Sequence, residues 1–445
     1  MFCRLVLLNL DSLNHFKNIS NIDITYNQSL QNLDGLSNLT GDIHNLYIDD
    51  NPLLQNLNAF AGLKKVKSLN IFSNSNLLNV DAFFSLDSME YLRLANNQSL
   101  RDISGFMNLV SISGQLWIRN TPLLTNLDAF SNLETLGSLD LYDNENLQNL
   151  NAFSSITAIP GGISITLSPL LDDISGLLNL TSAGEITISS NNSITNLDEL
   201  ANLTECTSLY ISHNPLLINI DGLSNISSAN RVLIVSNESL INIDGLLGID
   251  STLQVVFIDH NISLISIDGL LNQSNIHTLR IQGNPRLKDL HGLSNLTEVI
   301  HSLILRSNDS LINIDALSNL KIIGHLLYFS DNNSILNLAG LSSLESLEHR
   351  LIISHNQKLT TINALLGSIT NLLNISILNN PQLINLEGLN GLIHVEEYFN
   401  IEGNASLLHL NELVSLETVE SLIISDNANL SDCCGIQILL ETPGA

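Results

Sequence analysis

The stretch SLYISHNPLLINIDGLSNISSANR, Ser208–Arg231, decides the fold. It opens on an alternation, with Leu209 and Ile211 apolar and Tyr210 and Ser212 between and after them. A period of two marks a strand with one buried face. Asn214-Pro215 then reads as a turn. A second short apolar pair follows, Ile218 and Ile220. Next comes Asp221-Gly222-Leu223, with Ile226 three residues further on.

The same text recurs in both directions. NLDGLSNL at Asn32–Leu39 returns as NLDAFSNL at Asn126–Leu133 and NIDGLSNI at Asn219–Ile226. Indexed on the slot of Asp34, the copies run from Asp11 to Cys434 in steps of 23 or 24 residues, nineteen in all. Such a period is the mark of a solenoid, which grows by stacking one supersecondary unit on the next. The expected fold is therefore mainly β, a parallel β-solenoid of about 19 coils. Residues 1–430 are expected to form one continuous leucine-rich solenoid that starts mid-coil. Residues 431–445 are expected to begin a C-terminal cap or linker.

Three slots carry the local argument. The Asp slot holds Asp, Asn or Ser in 15 of 19 copies. These are favoured helix N-cap residues, so the slot is expected to cap a single helical or 3₁₀ turn. The competing reading, a calcium-binding carboxylate ladder, is poorly served by the Ala and Asn occupants. The slot after the strand is filled by Asn27, Asn51, Asn74, Asn97, Asn144, Asn191, Asn214, Asn237, Asn261, Asn284, Asn308, Asn332, Asn356, Asn380, Asn404 and Asn427. Thr121 and Ser168 replace it in two coils. A primary amide both donates and accepts, so stacked copies can bond each other and the backbone of the next coil. The third slot follows the Asp-Gly or Asp-Ala pair and holds Phe60, Phe83, Phe106, Phe130 and Phe153 in five consecutive coils. It is Leu elsewhere, which points to a core spine rather than an aromatic binding ladder.

The pattern LxIxxNPxLxNLDGLxxL resembles the leucine-rich-repeat consensus. It is more closely similar to the receptor L-domain repeats of large bacterial surface proteins. The resemblance covers essentially the whole chain and is specific for architecture rather than ligand. It implies a right-handed coil with a parallel sheet along one face. It also implies extracellular or cell-surface display and a binding or structural role.

Composition points to an acidic surface, with uptake of cations or basic ligands as the sharper reading, and argues against some other classes. Of 445 residues 44% are hydrophobic and 13% charged, giving a net charge of −28. Nucleic-acid binding needs phosphate-neutralising Lys and Arg, so it is not expected. Insertion into a membrane is not expected either, because no apolar run reaches about 18 residues. The start resembles no secretion signal. A chain that begins inside a coil is expected to be truncated there, which makes that absence uninformative. Cys206 lies in an apolar slot and is read as a buried hydrophobe. Cys3 adds a fourth thiol, and Cys433-Cys434 leaves a vicinal disulfide and metal binding open.

No catalytic, metal or cofactor motif stands out, and the chain is expected to be no enzyme. The twelve His read as scattered, with His213, His260 and His355 exposed just before the Asn turn. Eight N-x-S/T sequons fall on the Asn slot, where an inward side chain could carry no glycan. Binding is expected on outward strand positions, because inward ones are committed to the core. The candidate face comprises Trp117, Arg119 and Tyr142, then Tyr210, Leu233, Phe257, Arg280, Ile304, Tyr328 and Ile352. The competing reading is that sheet surfaces favour such residues and stack them on each other. The expected partner is a protein or carbohydrate. The alternatives are a structural surface spacer without a ligand and a β-helix carbohydrate-active enzyme. An intracellular leucine-rich scaffold also stands open.

Overall fold

In each coil the chain makes one strand, turns sharply, runs extended, and makes a single 3₁₀ turn. The computed structural model describes residues 7–365, 369–437 and 439. It divides into two compact units, Met1–Leu217 and Ile218–Ala445. Cys3 and the end of the closing segment after Leu430 lie outside the described residues.

In the first unit nine main strands, from Asn21–Thr25 to Ser208–Ser212, pair in parallel. In the second, nine more run from Arg231–Val235 to Thr418–Ser425, again parallel. The register steps by one repeat at each pairing, for example Leu46 beside Leu69 and Leu279 beside Leu303. Every inward side chain therefore sits on its own homologue in the neighbouring coil. The core of each unit is a set of such columns. Leu46, Leu69, Leu92 and Leu116 are fully buried, as are Leu279, Leu303, Leu327 and Leu351. The Phe slot forms a spine: rings from Phe60 to Phe153 stack with centroids 5.9–6.5 Å apart and planes within 16°.

The residue before the Asn slot turns the chain, and it does so with a left-handed backbone. His213, His260 and His355 have φ of 55°, 56° and 59°, and all three are exposed. Asp, Asn, Ser and Gly fill most of the other positions, since they tolerate this region best. Leu167, with φ 55°, is a poor fit to it.

The 3₁₀ turns lie where the Asp slot predicted, from Asp11–Leu13 to Cys434–Ile436. The capping mechanism needs correcting. The Asp is the first residue of the turn, the N-cap is the apolar residue before it, and that cap makes no side-chain bond. The side chain that serves the turn lies two residues upstream of the Asp slot. Asn32 Oδ1 accepts the Asp34 N–H at 3.1 Å, and Asn219 Oδ1 accepts that of Asp221 at 3.1 Å. In the Glu387 coil no 3₁₀ turn forms, and Gly388 takes φ 121°. Gly recurs after the Asp slot because coils approach closely there. A Cβ on Gly245 would overlap the Ile220 carbonyl.

Candidate functional site

The Asn slot holds each unit together from inside. Asn74 Oδ1 accepts the backbone N–H of Asn51 at 3.1 Å, and its Nδ2 donates to the Ile48 carbonyl at 3.0 Å. Both bonds reach the preceding coil. The motif repeats without a break from Asn237 to Asn427 in the second unit. Apart from the half-buried Asn427 these amides are buried among backbone groups that have no water to bond, so the ladder supplies obligatory partners. The two hydroxyl substitutes behave differently from an amide. Thr121 donates to Asn144 Oδ1 at 2.7 Å, toward the following coil. Ser168 Oγ is buried with no partner.

The outward face of the first unit gathers aromatics around one arginine. Arg93, Trp117 and Asp140 are register partners, as are Arg119 and Tyr142. Arg119 Nε donates to Asp140 Oδ1 at 3.0 Å, and Nη2 pairs with Oδ2. Its guanidinium lies 4.4 Å from the Trp117 ring and 5.4 Å from the Tyr142 ring. Phe72 meets Trp117 edge-on at 5.7 Å, and Tyr47 meets Phe72 at 5.4 Å. Trp117 Nε1 is buried without a partner, and Tyr142 is 40% exposed. Tyr210 sits further along this unit, beside Thr187.

In the second unit Leu233, Phe257, Arg280, Ile304, Tyr328 and Ile352 form one column of register partners. All six are half-buried, because each leans on the next. An openly exposed apolar stripe is thus not what these positions make. Arg280 lies 3.7 Å over the Phe257 ring and bonds the nearly buried Asp259. Burial raises the Asp259 carboxyl above its usual range, and the Arg280 bond opposes that rise.

Four His missed as scattered form a column. His277, His301, His325 and His349 recur every 24 residues and stack with centroids 5.5, 4.5 and 4.8 Å apart. The constant spacing was the signal available in the sequence. Their planes run side by side, and among the described residues no three His, Cys, Asp or Glu converge as a metal site. Cys206 is buried, its thiol pushed up to about 12 by that burial. Cys433 and Cys434 are free and exposed thiols, with no bond between them.

No protein-family model matches the chain, and no curated protein does. Among solved structures, an internalin of Listeria monocytogenes is 18% identical, with 91% of this chain and 86% of that chain covered and a TM-score of 0.35. The functional domain of InlJ from the same organism is 18% identical, covering 81% and 74%, with a TM-score of 0.39. A leucine-rich-repeat protein of Leptospira interrogans is 19% identical, covering 77% and 92%, with a TM-score of 0.35. The repeat type rests on the coil itself: strand, left-handed turn, Asn rung and 3₁₀ turn every 23 or 24 residues make this chain a leucine-rich-repeat-like parallel β-solenoid.

Proposed function

We propose that the protein is a non-enzymatic recognition solenoid, displayed at a cell surface or secreted, which binds a protein or glycan through its sheet face. The observation that carries this is the cluster of Trp117, Arg119 and Tyr142 on two adjacent strands of the first unit, with Phe72 reaching Trp117 from two strands away. Aromatic and Arg side chains dominate binding hot spots, because they offer large rigid contact area with a polar handle. Asp140 already neutralises Arg119, so an incoming ligand meets a preorganised, nearly neutral platform. The unpartnered Trp117 Nε1–H supplies a donor to a ligand that displaces part of the stack.

One observation favours the spacer reading: the outward column from Leu233 to Ile352 is half-buried, as are Phe72, Trp117 and Arg119, which leaves Tyr142 as the openly exposed member of the cluster. Binding arrays of proteins, glycans and whole cells test both. The recognition reading expects binding that Trp117→Ala with Tyr142→Ala reduces at least tenfold. It fails if no array binds, or if that double variant and the triple change of Tyr210, Phe257 and Tyr328 to Ser bind as well as the parent. Turnover of a polysaccharide by the chain would instead support the enzyme alternative.

A further inference from the structure

The second unit carries an exposed aliphatic stripe away from its sheet. The slot after the buried Leu of the Asn turn holds Ile218, Ile241 and Ile265, and these are 41–48% exposed. The same slot continues with Ile312 and Leu336, at 59% and 53%, and with Ile384 and Leu408, both at 46%. Lys288 and Thr360 interrupt it. Of the apolar pair Ile218 and Ile220, then, only the second enters the core, being fully buried.

The fold does not require this. In the first unit the same slot holds Leu8, Gln31, Gln55, Leu78, Arg101, Thr125, Gln148, Asp172 and Thr195, two aliphatics in nine. The backbone is alike in both units. Ile265 N–H donates to the Ile241 carbonyl at 2.9 Å, and Gln148 N–H to that of Thr125 at 3.0 Å. Polar residues therefore satisfy most copies of the slot in one unit, while seven of ten positions in the other spend exposed surface on Ile and Leu. A row of exposed apolar residues that folding does not demand, broken here only at Lys288 and Thr360, marks a contact surface.

We infer that this stripe is a self-association surface, covered by the same stripe of a second copy of the chain. Three features select that occupant. The first is spacing: at about 4.8 Å per coil the side chains form a regular comb about 40 Å long, and a second comb of the same pitch interdigitates with it along its whole length. The second is charge. The chain carries −28, so two copies repel each other over most of their surface. On the stripe and its flanking rows the charged residues are Arg286, Lys288 and Lys358 against Asp289. The acidic row at Asp221, Asp244, Asp268 and Asp315 starts beyond the flanking Asn residues. The third is area. Its seven aliphatic side chains are 41–59% exposed, and the flanking Ser and Asn rows widen the face toward the roughly 800 Å² per partner of a stable interface. It has the apolar centre and polar rim of one.

Sedimentation or light scattering on the full chain tests this. The expected result is twice the chain mass, with the dimer favoured further as salt screens the acidic rims. Ile241→Lys, Ile312→Lys and Leu336→Lys together should return the single-chain mass with an unchanged circular dichroism spectrum. Ile312 is the middle position between Ile218 and Leu408, the two ends of the apolar row, so it meets its own copy whichever way the stripes run. In a Cys3→Ser, Cys433→Ser, Cys434→Ser background, Ile312→Cys should form an inter-chain disulfide on mild oxidation, and Leu123→Cys, an exposed position in the first unit, should not. A single-chain mass at every concentration overturns the proposal. So does a dimer that survives the three lysines, or equal cross-linking of the two cysteine variants.

Discussion

The imidazole of His325 lies face to face with that of His301, centroids 4.5 Å apart and planes 5° apart. His349 covers its other side at 4.8 Å. Burial first, then the neighbouring His301, His349 and Arg350, lower the tendency of His325 to take up a proton. Among the described residues no carboxylate forms an ion pair with any ring of the column. Lys321 and Glu345 nearby pair with each other. With the folded value depressed, the unfolded chain binds the proton first as pH falls through the ordinary imidazole value near about 6.5. The contribution of the neutral stack is thus complete above that value and is lost below it. Thermal unfolding from pH 8 to 5 should show a smaller acid-induced drop for His325→Gln than for the parent. Parallel curves would refute a role for the stack.

Asn308 serves the coil before it with two bonds, accepting from the Asn284 N–H at 3.2 Å and donating to the Ile281 carbonyl at 2.9 Å. Asn308→Ala leaves both backbone groups buried and unpaired. The expected loss is about 2–4 kcal/mol in chemical denaturation, as each orphaned group costs about 1–3 kcal/mol. A loss under about 1 kcal/mol would mean that water replaces the amide.

Ser168 is the rung that fails to bond. Ser168→Asn restores an amide at a slot that sixteen other coils fill with one. It should stabilise the first unit by about 1 kcal/mol, the net worth of a typical buried hydrogen bond. Hydrogen exchange of the Asn144 amide should slow in parallel. An unchanged midpoint would show that the Ser coil has closed over the space the amide needs.

Leu167 holds a left-handed backbone with φ 55°. That conformation costs a branched or bulky residue about 1–2 kcal/mol, and Asn much less. Leu167→Asn should raise the unfolding midpoint, whereas Asn120→Leu, at φ 47°, should lower it. The pair of opposite signs is the readout, and shifts of the same sign would contradict the strain argument.

Phe106 lies in the middle of the five-ring spine and is fully buried. Phe106→Ala should cost about 3–5 kcal/mol, the lost transfer energy plus the cavity left between Phe83 and Phe130. Phe106→Leu restores the residue of most other coils and should recover much of that loss. Equal losses for the two variants would mean that ring stacking rather than volume carries the stability.

Read alone, the chain determined its repeat. Strand, turn, Asn rung, 3₁₀ turn and Phe spine all follow from one-dimensional patterns, because a solenoid places each residue on its homologue 23 or 24 positions away. What the same pattern could not say is which outward residues remain open, since exposure depends on neighbours in adjacent coils. The column from Leu233 to Ile352 looked open and is half-buried by its own stacking. Ile218 looked like a partner of Ile220 and faces out, 46% exposed. The four His looked scattered until parallel register brought rings 24 residues apart to within 5.5 Å. The cap side chain moved from the Asp slot to the residue two before it, because the direction of a side chain at a turn is set by backbone angles rather than residue type. Local periodicity thus settles which coil a residue belongs to and its place in that coil. Lateral stacking between coils, a tertiary property, decides what that place exposes, buries or bonds.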